Sequence, residues 1–179
     1  MMFFTADLHL GHKNIIKHCN RPFDNVDDMD RVIIDNINRV VGQRDQLFIL
    51  GDFAFRGKQP DEYRSLIKAR VVHIILGNHD KRGRFGSFTS VENVREISNF
   101  GQKVFLSHYP HRSWPSRQHG SWMLYGHVHG QLEQADRLSN CKTLDVGVDN
   151  CAVFGKPFGE PFGLAEIGEI LASFRPCAG

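Results

Sequence analysis

An α/β fold with its reactive groups at the rim of a sheet is what this sequence predicts, on three observations. The run Val71-Val72-His73-Ile74-Ile75-Leu76 is apolar apart from one His and rich in β-branched residues, the pattern of a strand buried on both faces. It ends in Gly77-Asn78-His79-Asp80, so an amide, an imidazole and a carboxylate arrive together where the strand leaves the core. The construction then recurs. Phe3-Phe4-Thr5-Ala6 runs into Asp7-Leu8-His9, Leu47-Phe48-Ile49-Leu50 into Gly51-Asp52, Val104-Phe105-Leu106-Ser107 into His108, and Trp122-Met123-Leu124-Tyr125 into Gly126-His127-Val128-His129. One such loop would read as local turn hydrogen bonding. The repetition points instead to a shared site, because open sheets hold ligands at the carboxyl ends of their strands.

The elements follow in order. After the first strand, Asp7 and His9 stand two apart on an extended segment and can reach a common point. A short helix covers Asn14 to His18, and Arg21-Pro22-Phe23 makes a turn. Val26, Met29, Ile33, Ile37, Val40 and Val41 draw one apolar stripe, so a helix capped by Asn25 or Asp27 runs to Val41 and packs on a sheet. Gly42 is placed to end it. Asp24, Asp27, Asp28 and Asp30 suit the positive end of the helix dipole and read as a solvated helix start. Pro60 opens a helix to about Ala69. The runs Val91 to Ile97 and Lys103 to Ser107 read as a hairpin through Asn99-Phe100-Gly101. Ser113 to Gly120 has no apolar period and reads as a surface loop beside the site. Leu144 to Val148 is a late strand, Phe154 to Phe162 is irregular, and a last helix runs from about Leu164 to Phe174. No repeat or linker interrupts the pattern, so residues 1–179 are expected to form one domain.

Composition narrows the classes. With 179 residues, 41% hydrophobic and 23% charged, the chain is an ordinary globular sequence. A chain of this size buries roughly 70% of its unfolded surface. The net charge of +2 neither implies nor excludes a nucleic acid or nucleotide substrate. The short basic run Lys81-Arg82-Gly83-Arg84 reads as solvated surface. Cys19, Cys141, Cys151 and Cys177 form no CxxC pair, so neither a zinc knuckle nor a disulfide framework is expected. No apolar run is long enough to span a bilayer, and the first residues carry no basic leader. A cytoplasmic protein with no membrane partner is therefore expected.

The strand ends together offer Asp7, His9, Asp52, Asn78, His79, His108, His127 and His129. Imidazole mixed with carboxylate, without thiolate, suits Mn, Fe, Co, Ni or Zn, whereas Mg or Ca would take oxygen almost alone. The set is too large for one ion with an open position. Two divalent transition ions sharing a carboxylate fit better, and such pairs, roughly 3.5–4 Å apart, serve in-line displacement at phosphorus. Manganese is the first expectation for the metal.

In order and spacing, Asp7-x-His9, Gly51-Asp52, Gly77-Asn78-His79-Asp80, His108 and Gly126-His127-x-His129 resemble the motif set of the calcineurin-like metallophosphoesterases. The start Asp7-Leu8-His9-Leu10-Gly11-His12-Lys13-Asn14, followed by Arg21-Pro22-Phe23, resembles a small single-domain bacterial and phage branch. The resemblance implies a four-layer α/β/β/α sandwich of two mixed sheets, with the metal site at the strand ends. It implies Asp7, His9 and His129 on one ion, Asn78, His108 and His127 on the other, and Asp52 bridging both. It gives His79 to the leaving group, with Asp80 orienting that ring. It further implies a metal-dependent phosphoesterase in which a metal-bridging hydroxide attacks the phosphate ester in line.

A diester is somewhat favoured over a monoester, since no capping domain is present to enclose a small substrate. The rival readings are a non-catalytic metal-binding interaction domain on the same fold and a nuclease component acting with a partner. His12, Asn14, Arg21, His111 and Arg112 are candidates for touching a phosphate or bracing a ligand. His73 is expected as a core histidine, and His18 and His119 as surface residues.

Overall fold

The computed structural model describes residues 1–81, 83–139 and 141–174. Arg82 and Cys177 of the readings above lie outside them. Four parallel strands build most of the first sheet: β1 (Met2–Thr5), β2 (Gln46–Leu50), β3 (Val71–Ile75) and β4 (Ser90–Glu92). A two-residue strand, Phe162–Gly163, pairs antiparallel with β1 at its other edge. The second sheet runs in the order β5 (Val94–Asn99), β6 (Gln102–Ser107), β7 (Trp122–Tyr125), β8 (Thr143–Asp145), so the strand at 162–163 is β9. In this sheet β5 is antiparallel to β6, and the rest are parallel. Both sheets are mixed, as expected.

Three helices cover the outer face of the first sheet: α1 (Ile15–His18), α2 (Val26–Val40) and α3 (Pro60–Ser65). Met29, Ile33 and Ile37 of α2 meet Leu47, Ile49, Val72 and Ile74 there. The opposite strand positions fill the space between the sheets, where Phe4, Phe48 and Leu50 meet Leu106, Leu124 and Leu144. The Phe4 and Phe48 rings stack at 5.2 Å. This split follows from the period of two along each strand. The outer face of the second sheet carries Phe105, Trp114, Met123 and Tyr125 under α4 (Glu133–Leu138) and the loop before β7. The last helix, α5 (Leu164–Ser173), sends Ile167 and Leu171 into the core between the sheets. No helix among the described residues is long and apolar enough to cross a membrane.

Several boundaries differ from the sequence reading, each for a visible reason. The Asn25 side chain caps α2, accepting from the Asp28 N–H at 2.9 Å. The helix ends one residue early because Val41 turns extended and buries its side chain. Gly42, expected as the terminator, instead donates its N–H to Asp45. Helix α3 stops at Ser65 because the Arg64 guanidinium bonds the carbonyls of Ile67, Ala69 and Arg70, drawing the following chain into a turn. The run read as one hairpin arm, Val91 to Ile97, is divided at Asn93: its first part joins the first sheet and its second part the other. The hairpin turn itself has φ 47° at Phe100 and 87° at Gly101, the positive values of a tight two-residue connection. The loop from Ser113 to Gly120 is not beside the site. Gly120 and Ser116 bond the side chains of Gln102 and Lys103, at the opposite end of β6.

Candidate metal centre

Strands β1, β2 and β3 run parallel, and so do β6, β7 and β8, so all six send their carboxyl ends toward one rim. Hydrogen bonds close that rim from sheet to sheet. The His127 N–H donates to Asp7 Oδ2 at 2.8 Å, and His108 Nδ1 lies 2.8 Å from the Leu50 carbonyl oxygen. A carbonyl only accepts, so Nδ1 of His108 carries the proton and Nε2 turns a lone pair to the site.

Asp7 and His9 are almost wholly buried, yet Asp7 Oδ1 and His9 Nε2 find no hydrogen-bond partner. Each unmet buried group costs ~1–3 kcal/mol, so the pair calls for a ligand. Atoms of Asp7, His9 and His129 lie within 4.8 Å of one another, as do atoms of Asp7, Asp52 and His108. Asn78 Oδ1 is 3.0 Å from His108 Nε2 and 3.1 Å from His127 Nδ1. Asp52 stands between the two groups, its Oδ2 3.5 Å from His9 Nε2 and 3.6 Å from His108 Nε2. Imidazole and carboxylate gathered at such separations, with orphaned atoms facing inward, fit divalent transition ions.

The backbone is bent to achieve this. Asp7, His9, Asp52, His127 and His129 all have positive φ, from 49° to 72°. Non-glycine residues seldom adopt that region, and clusters of them mark places where geometry outweighs local comfort. Gly51, at φ 90°, adds a steric reason. A Cβ there would sit 2.3 Å from His108 Nδ1, so only glycine lets the imidazole cross to Leu50.

Electrostatics without a cation are tense. Burial, with the nearby charge of Asp145, pushes the Asp7 carboxyl well above its usual range. Burial, with Arg21 and the neighbouring imidazoles, pushes His9 down to about 2. Burial opposes charge on His129 too. Hydrogen bonds to Asp149 and Cys19 and the charge of Asp7 outweigh it and raise the ring to about 10. Protons therefore stand where a cation would supply the balancing charge.

A second layer holds these residues still. The Asp149 carboxylate accepts from His129 Nδ1 at 2.7 Å and from Arg21 through two bonds of 2.8 Å. Arg21 also donates to the carbonyls of Asp7 and Leu8, and its side chain is fully buried. Asp145, buried and pushed up to about 6 by that burial, accepts from the N–H groups of Gly130 and Gly147. Asp30, read as solvated, is in fact buried. It accepts from the Gly11 N–H and from the Tyr63 hydroxyl, fixing the turn after His9.

Residues 2–156 match the family model of the calcineurin-like phosphoesterase superfamily domain. The chain belongs to that superfamily. Among relatives of the chain, an uncharacterized protein of Methanocaldococcus jannaschii is 37% identical over 159 residues, covering 87% of this chain and 85% of its own length. The Gene 66 protein of Mycobacterium phage L5 is 28% identical, with 82% of this chain and 86% of its own covered. The phage relative accords with the small branch. A solved structure of a protein of unknown function from Aquifex aeolicus superposes with a TM-score of 0.72 at 24% identity, covering 95% of this chain and 98% of its own. That likeness bears on the fold alone.

Every strand-end residue of the calcineurin-like motif set reaches the rim, but not every expected contact forms. Asp80 does not hold the His79 ring. Its carboxylate accepts from the N–H groups of Asp52 (2.8 Å), Gly77 (2.9 Å) and Phe53 (3.1 Å), joining the loops after β2 and β3. The His79 ring is half-buried, with Nε2 3.9 Å from Asp52 Oδ2 and its edge against Phe55. His12 comes close, its Nδ1 3.4 Å from that of His9. Arg21 braces and cannot reach a substrate. Asn14 stands exposed at the start of α1. His111 leaves the rim and bonds Ser107 on the outer face of the second sheet, beside Phe105. Arg112 is exposed. His73 is buried and bonded to Ser90 at 2.8 Å. Sequence reasoning passed over Asp145, Asp149 and Tyr109, whose ring packs on His127 and His108. Asp149 was findable, since Gly147-Val148-Asp149-Asn150 follows β8 as the other motifs follow their strands.

Proposed function

We propose that this chain is a metal-dependent phosphoesterase that hydrolyses phosphate esters, diesters ahead of monoesters, with two divalent transition ions. One observation carries the reading: Asp52 Oδ2 lies between the imidazoles of His9 and His108, with orphaned atoms of Asp7 and His9 beside it. Asp7, His9 and His129 would hold one ion. Asn78, His108 and His127 would hold the other, and Asp52 both. Bound ions of this kind activate water and neutralise charge on phosphoryl oxygens.

The chain's own residues do the rest. Leu50 and Asp149 fix the proton on Nδ1 of His108 and His129, so each ring offers Nε2. The His79 backbone N–H donates to Asp52 Oδ1 at 2.9 Å, which fixes the shared carboxylate. The His79 ring is half-buried, with Nε2 3.9 Å from Asp52 Oδ2. From there it gives a proton to the departing oxygen, a step worth ~10²–10⁴-fold.

Hydrolysis of paired model mono- and diesters across a series of Mn, Fe, Co, Ni, Zn and Mg tests this reading. Turnover with at least one transition ion, faster on the diester, is expected. Absence of turnover with every ion would sink the enzymatic reading.

A further inference from the structure

A cavity of about 280 Å³ opens beside His79, away from the candidate ligands. Phe55, Arg56 and Lys58 line it from the loop after β2, and Lys81 and Arg84 from the loop after β3. All four cations are exposed, and among the described residues none has a carboxylate within 4.0 Å. The one carboxylate in the wall is Asp80, and three backbone N–H groups already engage its oxygens. The cavity therefore concentrates positive charge that the chain as a whole, at +2, hardly shows.

Two of the cations also rest on aromatic rings. The Arg56 guanidinium lies 5.3 Å over the Phe55 ring, and the Lys58 ammonium 5.8 Å over Tyr63. The Phe55 ring in turn meets His79 edge-on at 4.9 Å and His12 at 4.2 Å. One aromatic thus joins the charged wall to the residue that faces the departing oxygen. Like charges gathered in a cleft repel one another until an anion enters, and they raise its local concentration.

We propose that this cavity receives the leaving half of the substrate, and that this half carries a phosphate group of its own. The proposal rests on the phosphoesterase reading for its direction. Water forms the new P–O bond and gives up one proton to solvent, the P–O bond to the leaving half breaks, and the departing oxygen takes up one proton from His79, which solvent then replaces. The second phosphate takes no part in the bond changes. It sits among Arg56, Lys58, Lys81 and Arg84 and supplies binding and orientation.

Two diesters test this: methyl phenyl phosphate, and the same molecule with a phosphonate at the para position of the ring, which cannot be hydrolysed off. They share the reacting bond and differ in the added charge. The wild-type protein is expected to prefer the phosphonate by at least ten-fold in kcat/KM, mainly through KM. Joint replacement Arg56→Ala with Lys81→Ala should reduce that ratio at least ten-fold. Equal kcat/KM on both diesters, or a ratio the double variant leaves unaltered, overturns the proposal. Calorimetry on metal-free protein gives a readout apart from turnover, with 4-hydroxyphenylphosphonate as the probe. Its Kd should rise at least ten-fold in the double variant, and an unchanged Kd overturns the anion site. If neither diester is hydrolysed while the probe binds as described, the phosphoesterase reading and the leaving-half role fail together, and an anion site alone survives.

Discussion

Arg21 and Asp149 meet through two parallel hydrogen bonds of 2.8 Å, although 128 residues separate them in the chain. The remaining donors of Arg21 hold the carbonyls of Asp7 and Leu8, and the same carboxylate holds His129. A single guanidinium therefore sets the spacing between two candidate ligands from different sheets. Removing one partner of a buried pair costs ~3–5 kcal/mol. Arg21→Ala should lower Tm by on the order of 10 °C for a chain of this size. Arg21→Lys should recover little, since an ammonium cannot make the paired bonds. Thermal unfolding of both variants checks this, and a lysine variant equal to wild type would contradict the clasp.

Asp52→Asn should keep the fold and lose one ion. The site lies at the rim, beyond the core between the sheets, and the change removes the charge that both ions would share. Elemental analysis of the purified variant decides it. Two ions per chain together with normal turnover would refute the bridging role.

His79→Ala should retain both ions and lose most of kcat, by ~10²–10⁴-fold on an alkyl ester. The loss should be smaller on a nitrophenyl ester, whose leaving group needs no proton. Equal losses on the two esters would remove His79 from the leaving-group role, and a lost ion would make it a ligand.

Asp80→Asn separates two roles for the neighbouring carboxylate. If Asp80 braces the loops through the N–H groups of Asp52, Phe53 and Gly77, the variant should bind metal more weakly and slow both esters by similar factors. If it orients His79, its losses should follow those of His79→Ala from ester to ester. The first outcome is expected. Metal titration with the two esters in parallel reads it.

Chelation should lower Tm. A ligand at a hundredfold excess over its Kd contributes ~2.7 kcal/mol to the native state. For a chain of this length that is roughly 5–10 °C for each ion. In the ion-free site His129 holds its proton up to about 10, so an ion must displace that proton and the stabilisation should weaken as pH falls. Thermal scans with added ion and with chelator, at two pH values, measure both effects.

The strand-end residues that gather at the rim were legible because apolar runs announce strands and glycines announce the turns that follow. Asp7, Asp52, Asn78, His108 and His129 could be read without coordinates for that reason. Asp80 was assigned to the His79 ring through the family resemblance, and the bonds of its carboxylate to the N–H groups of Asp52, Phe53 and Gly77 were not legible. The turn closed by the Asp80 N–H on Gly77 O swings its side chain toward β2 instead. Asp149 escaped because its strand, β8, is only three residues long, and its partner Arg21 is distant in sequence. The left-handed backbone at Asp7, His9, Asp52, His127 and His129 has no signature in the sequence, since Asp and His enter that region only when their surroundings compel them. The crossing at Asn93 was hidden too, because both halves of that run suit a strand equally well.

The rim draws its groups from both sheets: Asp7, His9, Asp52 and Asn78 from one, His108, His127 and His129 from the other. An ion coordinated there would be a staple between two layers that meet elsewhere through apolar contact and at the rim through a few hydrogen bonds. Cys19, Cys141 and Cys151 are free thiols, so no covalent bond among them serves that purpose. The cost of opening the sandwich at this end would then be set by metal supply, and the stiffness of the protein would vary with the ion content of its surroundings.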